Sequence, residues 1–116
     1  MYEKLAKLVD RLYERTQANA VQWGKADREV FAASFPNYSV DLSEAHNTWG
    51  SPAFVLRIYN SDGDVVEWIS SRTLASELPA SDKDYEKIME ELYKLARRSA
   101  LKSDQAVDEL ISVLEH

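Results

Sequence analysis

Cysteine is absent from the 116 residues, histidine occurs twice, and glycine and proline occur three times each. Without cysteine there is no disulfide framework, no thiol nucleophile and no thiolate metal site. With so few glycines, neither a Walker A sequence nor G-x-G-x-x-G can be assembled, so no phosphate-cradling loop is expected. Positive charge is also short: 14 Lys and Arg stand against 20 Asp and Glu, for a formal net charge of −6. Nucleic acids and anionic membranes both draw on a basic footprint, so neither is expected as a partner. No apolar run approaches the roughly 20 residues needed to span a bilayer. The N-terminal stretch MYEKLAKLVDRLYER is charged and amphipathic rather than signal-like. A cytoplasmic protein is the natural expectation.

The scarcity extends to catalytic groups. A Ser-His-Asp set needs a histidine held by a rigid neighbour, but His46 lies in a polar loop and no G-x-S-x-G elbow exists. His116 belongs to Leu114-Glu115-His116, which resembles the junction of a vector-encoded polyhistidine tag and stays outside the functional reading. Asn60, Asp62 and Asp64 alternate like calcium ligands. Their glycine is misplaced, however, and position 71 is serine where a calcium loop ends on glutamate. Asn37-Tyr38-Ser39 matches a glycosylation sequon only formally. Glu90-Glu91 and the Asp41/Glu44 pair read as solvated charge, and Arg97-Arg98 as partners of a helix C-terminus before anion ligands. No enzyme activity, cofactor or metal is expected.

What is present is a strong secondary-structure pattern. Residues 2–19 place Tyr2, Leu5, Leu8, Val9, Leu12, Tyr13 and Thr16 at helical spacing. Ala20–Trp23 reads as a short strand, with Lys25–Arg28 a polar connection. Glu29–Phe35 and Tyr38–Ser43 read as a hairpin around Pro36-Asn37. The clearest signal is Ala53–Ser70, AFVLRIYNSDGDVVEWIS. Asn60 and Gly63 favour a three-residue loop, Ser61-Asp62-Gly63, with Gly63 at positive φ. That turn sets Tyr59 opposite Val65, Ile58 opposite Val66, Arg57 opposite Glu67 and Leu56 opposite Trp68. One face then carries Phe54, Leu56, Ile58, Val66 and Trp68, and the other Val55, Arg57, Tyr59, Val65, Glu67 and Ile69.

Residues 71–80 form a connector with one helical turn at Thr73–Glu77. Ser81 reads as the cap of the longest helix, which runs to about Ala100 with Tyr85, Ile88, Met89, Leu92, Leu95 and Ala96 on its apolar side. A last helix, Asp104–Val113, puts Val107, Leu110 and Ile111 on one side. The expected fold is a single α+β domain over residues 1–113. It comprises an antiparallel sheet of four to five strands in two hairpins, with an N-terminal helix and two C-terminal helices packed mainly on one face.

The segments Phe31–Ser43, Phe54–Ser70 and Tyr85–Ile111 together resemble a group of small uncharacterised bacterial proteins. The resemblance covers about two-thirds of the chain and implies a cytoplasmic bacterial protein, without an activity or site residues to carry across.

These readings point to a non-enzymatic interaction module that binds a protein partner or pairs with itself as a homodimer. Its candidate face is Val55, Arg57, Tyr59, Val65, Glu67 and Ile69, open to a partner unless the terminal helix covers it. Trp49 is a candidate loop contact, or folds back on the core. A small-ligand or anion-binding domain with a pocket near Tyr38, Arg57 and Trp68 is the alternative, and an acidic chaperone or immunity-like partner of a cationic protein is a third.

Overall fold

The computed structural model describes residues 1–45 and 52–116. The elements are α1 (Tyr2–Gln17), β1 (Gly24–Asp27), β2 (Val30–Phe35), β3 (Tyr38–Ala45), β4 (Ala53–Asn60), β5 (Val65–Ser70), α2 (Ser71–Glu77), α3 (Tyr85–Ala100) and α4 (Ser103–Leu114). The five strands make one antiparallel meander, in chain order from β1 to β5. The α+β class and the packing of helices against an antiparallel sheet are as the sequence leads one to expect. The loop contact expected of Trp49, and His46, lie outside the described residues.

Turn chemistry closes the β2–β3 and β4–β5 hairpins. Phe35 pairs with Tyr38, so Pro36-Asn37 is a two-residue loop, with Asn37 at φ 69°. In the central hairpin Gly63 has φ 85°, Gly63 N–H donates to the Asn60 carbonyl at 3.1 Å, and Asn60 N–H donates to the Asp64 carbonyl at 3.0 Å. Asn60 Oδ1 accepts from the backbone N–H of both Asp62 and Asp64 at 3.0 Å, which accounts for the polar tip without an ion.

Several boundaries differ from expectation, three of them for a clear local reason. The first strand is Gly24–Asp27, not Ala20–Trp23. Trp23 is buried and donates from Nε1 to Thr16 Oγ1 at 3.1 Å, so residues before Gly24 are committed to α1 rather than to the sheet. α3 is capped by Asp84, whose side chain accepts from Lys87 N–H at 3.2 Å, while Ser81 closes the preceding turn by accepting from Lys83 N–H. α2 is a full helix of seven residues, started by Ser70, whose hydroxyl accepts from Thr73 N–H.

The core fills the space between one sheet face and the helices. α3 lies on the sheet and α1 packs on α3. Met89, Leu92 and Ala96 of α3 are fully buried against Phe31, Leu42 and Leu56 of the strands, with Leu74 of α2 and Val9 of α1 closing the sides. Burying each large aliphatic side chain of this kind is worth roughly 1.5–3 kcal/mol. Tyr93 sits among Phe31 and Phe54 at ring-centroid distances of 5.6 and 5.2 Å. Its hydroxyl donates to the Glu29 carbonyl at 2.8 Å, pinning the β1–β2 turn, where Glu29 takes the left-handed φ of 56°.

The register of the central hairpin is the main correction. Tyr59 pairs with Val65 as expected, but Ile58 pairs with Glu67, Arg57 with Trp68 and Leu56 with Ile69. Val66 is the extra residue of a bulge, and every later side chain of β5 changes face. Ile69 is therefore in the core at 3% exposure, and Glu67 leaves the expected face, whereas Trp68 joins it at 58% exposure. The cause lies at the end of the strand. β5 must deliver Ser71 into the core, where its hydroxyl accepts from Phe54 N–H at 3.0 Å, and α2 begins there.

Candidate interaction surfaces

Two surfaces stand out from the packed side of the domain. The first is the sheet face opposite the helices. By strand alternation it carries Asp41 on β3, Val55, Arg57 and Tyr59 on β4, and Val65 and Trp68 on β5. The residues expected on this face from sequence are thus brought together in part. Val55, Arg57, Tyr59 and Val65 share it, whereas Glu67 and Ile69 do not. α4 does not cover the face; it meets the rest of the domain chiefly through α3.

The centre of this face is a polar triad. Arg57 and Asp41 are register partners on neighbouring strands, and the guanidinium donates through Nε and Nη2 to the two carboxylate oxygens at 2.9 Å each. Tyr59 Oη donates to Asp41 Oδ2 at 2.8 Å, and the Arg57 guanidinium lies 5.7 Å from the Tyr59 ring centroid. The hydrogen bonds to Asp41 raise the Arg57 pKa above its ordinary value, against the opposing effect of burial. Burial first, and then Asp41, raises that of Tyr59. Asp41 itself is only 6% exposed, so its charge is matched within the sheet. The expected Arg57–Glu67 pair does not form. Instead Glu67 Oε1 accepts from Trp68 N–H at 2.9 Å. That backbone group lies on an edge strand, and occupying it guards the edge against strand addition.

The second surface is on the helix side. An apolar groove of about 390 Å³ opens between α1 and the sheet. α1 contributes Leu8 and Leu12, the β2–β3 hairpin Phe35, Tyr38 and Val40, β4 Ile58, and the preceding connection Val21. Arg11 and Arg15, one helical turn apart, complete the lining. Tyr38 therefore faces this groove, while Arg57 and Trp68 lie on the other side of the sheet. The three residues named for a shared pocket are therefore not brought together. Arg97 is engaged with Glu29 Oε2 at 3.7 Å.

α4 is the outlier among the helices. None of its side chains is buried, and Val107, Leu110, Ile111 and Val113 are all exposed. Lys102, at φ 54° and ψ 49°, breaks the chain between α3 and α4 and turns α4 away. The long axis of the molecule reaches 54 Å, and the radius of gyration is 15.6 Å. A compact domain of about 100 residues has a radius of about 13 Å. Among the described residues no group of three or more His, Cys, Asp and Glu is placed to hold a metal, and no helix is long and apolar enough to cross a membrane. Comparison with family models, with curated proteins and with solved structures finds no match.

Proposed function

We propose that the protein is a cytoplasmic, non-enzymatic interaction module that binds protein, a second copy of itself included. The observation that carries this reading is α4: twelve residues, amphipathic, with the apolar side turned to solvent. A free helix of this length is marginal in water and gains most of its stability from packing. A contiguous apolar surface of this kind marks a place where another molecule is met. The sheet face opposite the helices, with Trp68 and Val65 exposed, supports the same reading more weakly, because its centre is already satisfied by Asp41, Arg57 and Tyr59.

Amide hydrogen exchange of α4, followed alongside sedimentation, tests the proposal. Protection of α4 that rises with protein concentration, or on adding a purified partner, is the expected result. Free exchange of α4 at every concentration, in a strict monomer, removes self-association from the reading.

A further inference from the structure

We propose that α4 of one chain seats its apolar side in the α1–sheet groove of a second copy, and that the exchange is reciprocal. This rests on the interaction-module reading and names its partner. Donor and acceptor are both unfilled surfaces of the same molecule. On α4, Val107, Leu110 and Ile111 fall on one side, at the i, i+3, i+4 spacing by which an amphipathic helix enters a groove. The groove is lined almost wholly by apolar side chains apart from Arg11 and Arg15.

Charge fixes the pairing. α4 itself carries no basic residue. Asp104 and Asp108 lie one turn apart along one flank of its apolar side, matching the one-turn spacing of Arg11 and Arg15 on α1. All four are exposed. Arg11 pairs with Glu14 of its own helix at 3.1 Å, an exposed pair of the kind worth little, whereas Arg15 has no ion-pair partner among the described residues.

The helix does not fill the groove of its own chain. α1 meets α3 through the side that carries Tyr13, which bonds Glu91, and Asp10, which bonds Tyr85. Leu8, Leu12, Arg11 and Arg15 lie on the opposite side of α1. The connection from α3 to α4 is Leu101-Lys102 alone. Two residues reach about 7 Å at most, and a helix with its side chains is about 10 Å across. The start of α4 is therefore held at the C-terminal end of α3, where Ser103, Asp104 and Gln105 also border Thr16, Gln17 and Asn19 at the end of α1. A reciprocal exchange between two copies gives two equivalent helix-in-groove contacts and closes as a two-fold dimer.

A charge-swap experiment on the full chain tests this. One variant carries Arg11→Glu and Arg15→Glu, the other Asp104→Lys and Asp108→Lys. Circular dichroism checks that both fold, as expected for exposed positions. Sedimentation velocity from micromolar to millimolar concentration should show wild-type dimers, weakened at high salt. Each variant alone should dimerise roughly tenfold or more weakly. Mixing the two should restore a heterodimer, because a Lys-bearing helix then meets a Glu-bearing groove while an Asp-bearing helix meets an Arg-bearing groove. A wild-type chain that stays monomeric overturns the proposal but leaves a heterologous partner open to the module reading. Dimers that survive both charge swaps, yet are lost in Trp68→Asp, overturn the groove as the seat and keep self-association. Mixing that restores nothing also overturns it.

Discussion

α3 and α4 carry the same kind of pattern, one apolar side and one charged side, and the domain treats them in opposite ways. α3 buries Tyr85, Met89, Leu92, Tyr93 and Ala96, whereas α4 buries nothing. Propensity does not separate them, since both are ordinary helix-forming sequences. Available surface does. The covered face of the sheet is occupied by α3 and α2, with α1 packed alongside, before the chain reaches α4. The two-residue connection at Leu101-Lys102 then holds the start of α4 beside the ends of α3 and α1, away from either remaining apolar surface. An amphipathic pattern states that a helix needs cover. It does not state which molecule provides it.

The largest expected effect comes from the filled side. Leu92→Ala should destabilise the fold by roughly 2–5 kcal/mol, read from the urea midpoint, because Leu92 is fully buried and its neighbours cannot collapse freely. A loss under about 1 kcal/mol would mean that the core is looser than its burial implies.

Next is the triad on the face opposite the helices. Asp41→Asn should cost about 1–3 kcal/mol, by removing the charge that Arg57 and Tyr59 both bond. A change within about 0.5 kcal/mol would place this face with α4, as surface that does not hold the domain together.

Tyr93 gives a pH-dependent comparison. Burial, assisted by Glu29, pushes its pKa up to about 12. The folded value lies above the unfolded one of about 10, so the folded state binds the phenolic proton more tightly. Its contribution is complete below pH ~10 and is lost as pH rises toward about 12. The stability advantage of the wild type over Tyr93→Phe should therefore shrink across that interval in thermal melts. An advantage that stays constant would show that the hydroxyl is not held as the 2.8 Å bond to Glu29 indicates.

The smallest effect belongs to α4. Leu110→Ala in dilute, monomeric protein should change stability by less than about 0.5 kcal/mol, since Leu110 is 61% exposed. A core-like loss there would erase the contrast between the two helices.

Much of this was legible in the residues, and the failures have identifiable causes. The Asn60–Gly63 turn and the Tyr59–Val65 pair follow from local backbone chemistry. The bulge at Val66 does not, because both registers bury apolar side chains: Val66 and Trp68 in one, Ile69 in the other. The choice is made by Ser71 and α2 at the far end of β5. Asp41 reads as solvated charge in the sequence, yet it is buried. The available signal was its place midway along the alternation of Tyr38–Ser43, where a carboxylate needs a cross-strand partner. Arg57 could be named as that partner only once β3 and β4 were aligned. The groove is not legible in the residues because Leu8 and Leu12 read as ordinary core positions, and Leu12 is indeed buried. Its existence depends on α1 packing on α3 and leaving the sheet beside it partly uncovered.

By itself the sequence determined the first helix, the turns of the two hairpins, the antiparallel class, the long helix α3 and the lack of cysteine. These depend on interactions within a few residues or on composition. Tertiary structure alone decided which side of β5 faces the core, where Asp41 finds its counter-charge, and that α4 is left without cover. Each of those outcomes depends on what already occupies a surface, and that is set by segments far apart in the chain.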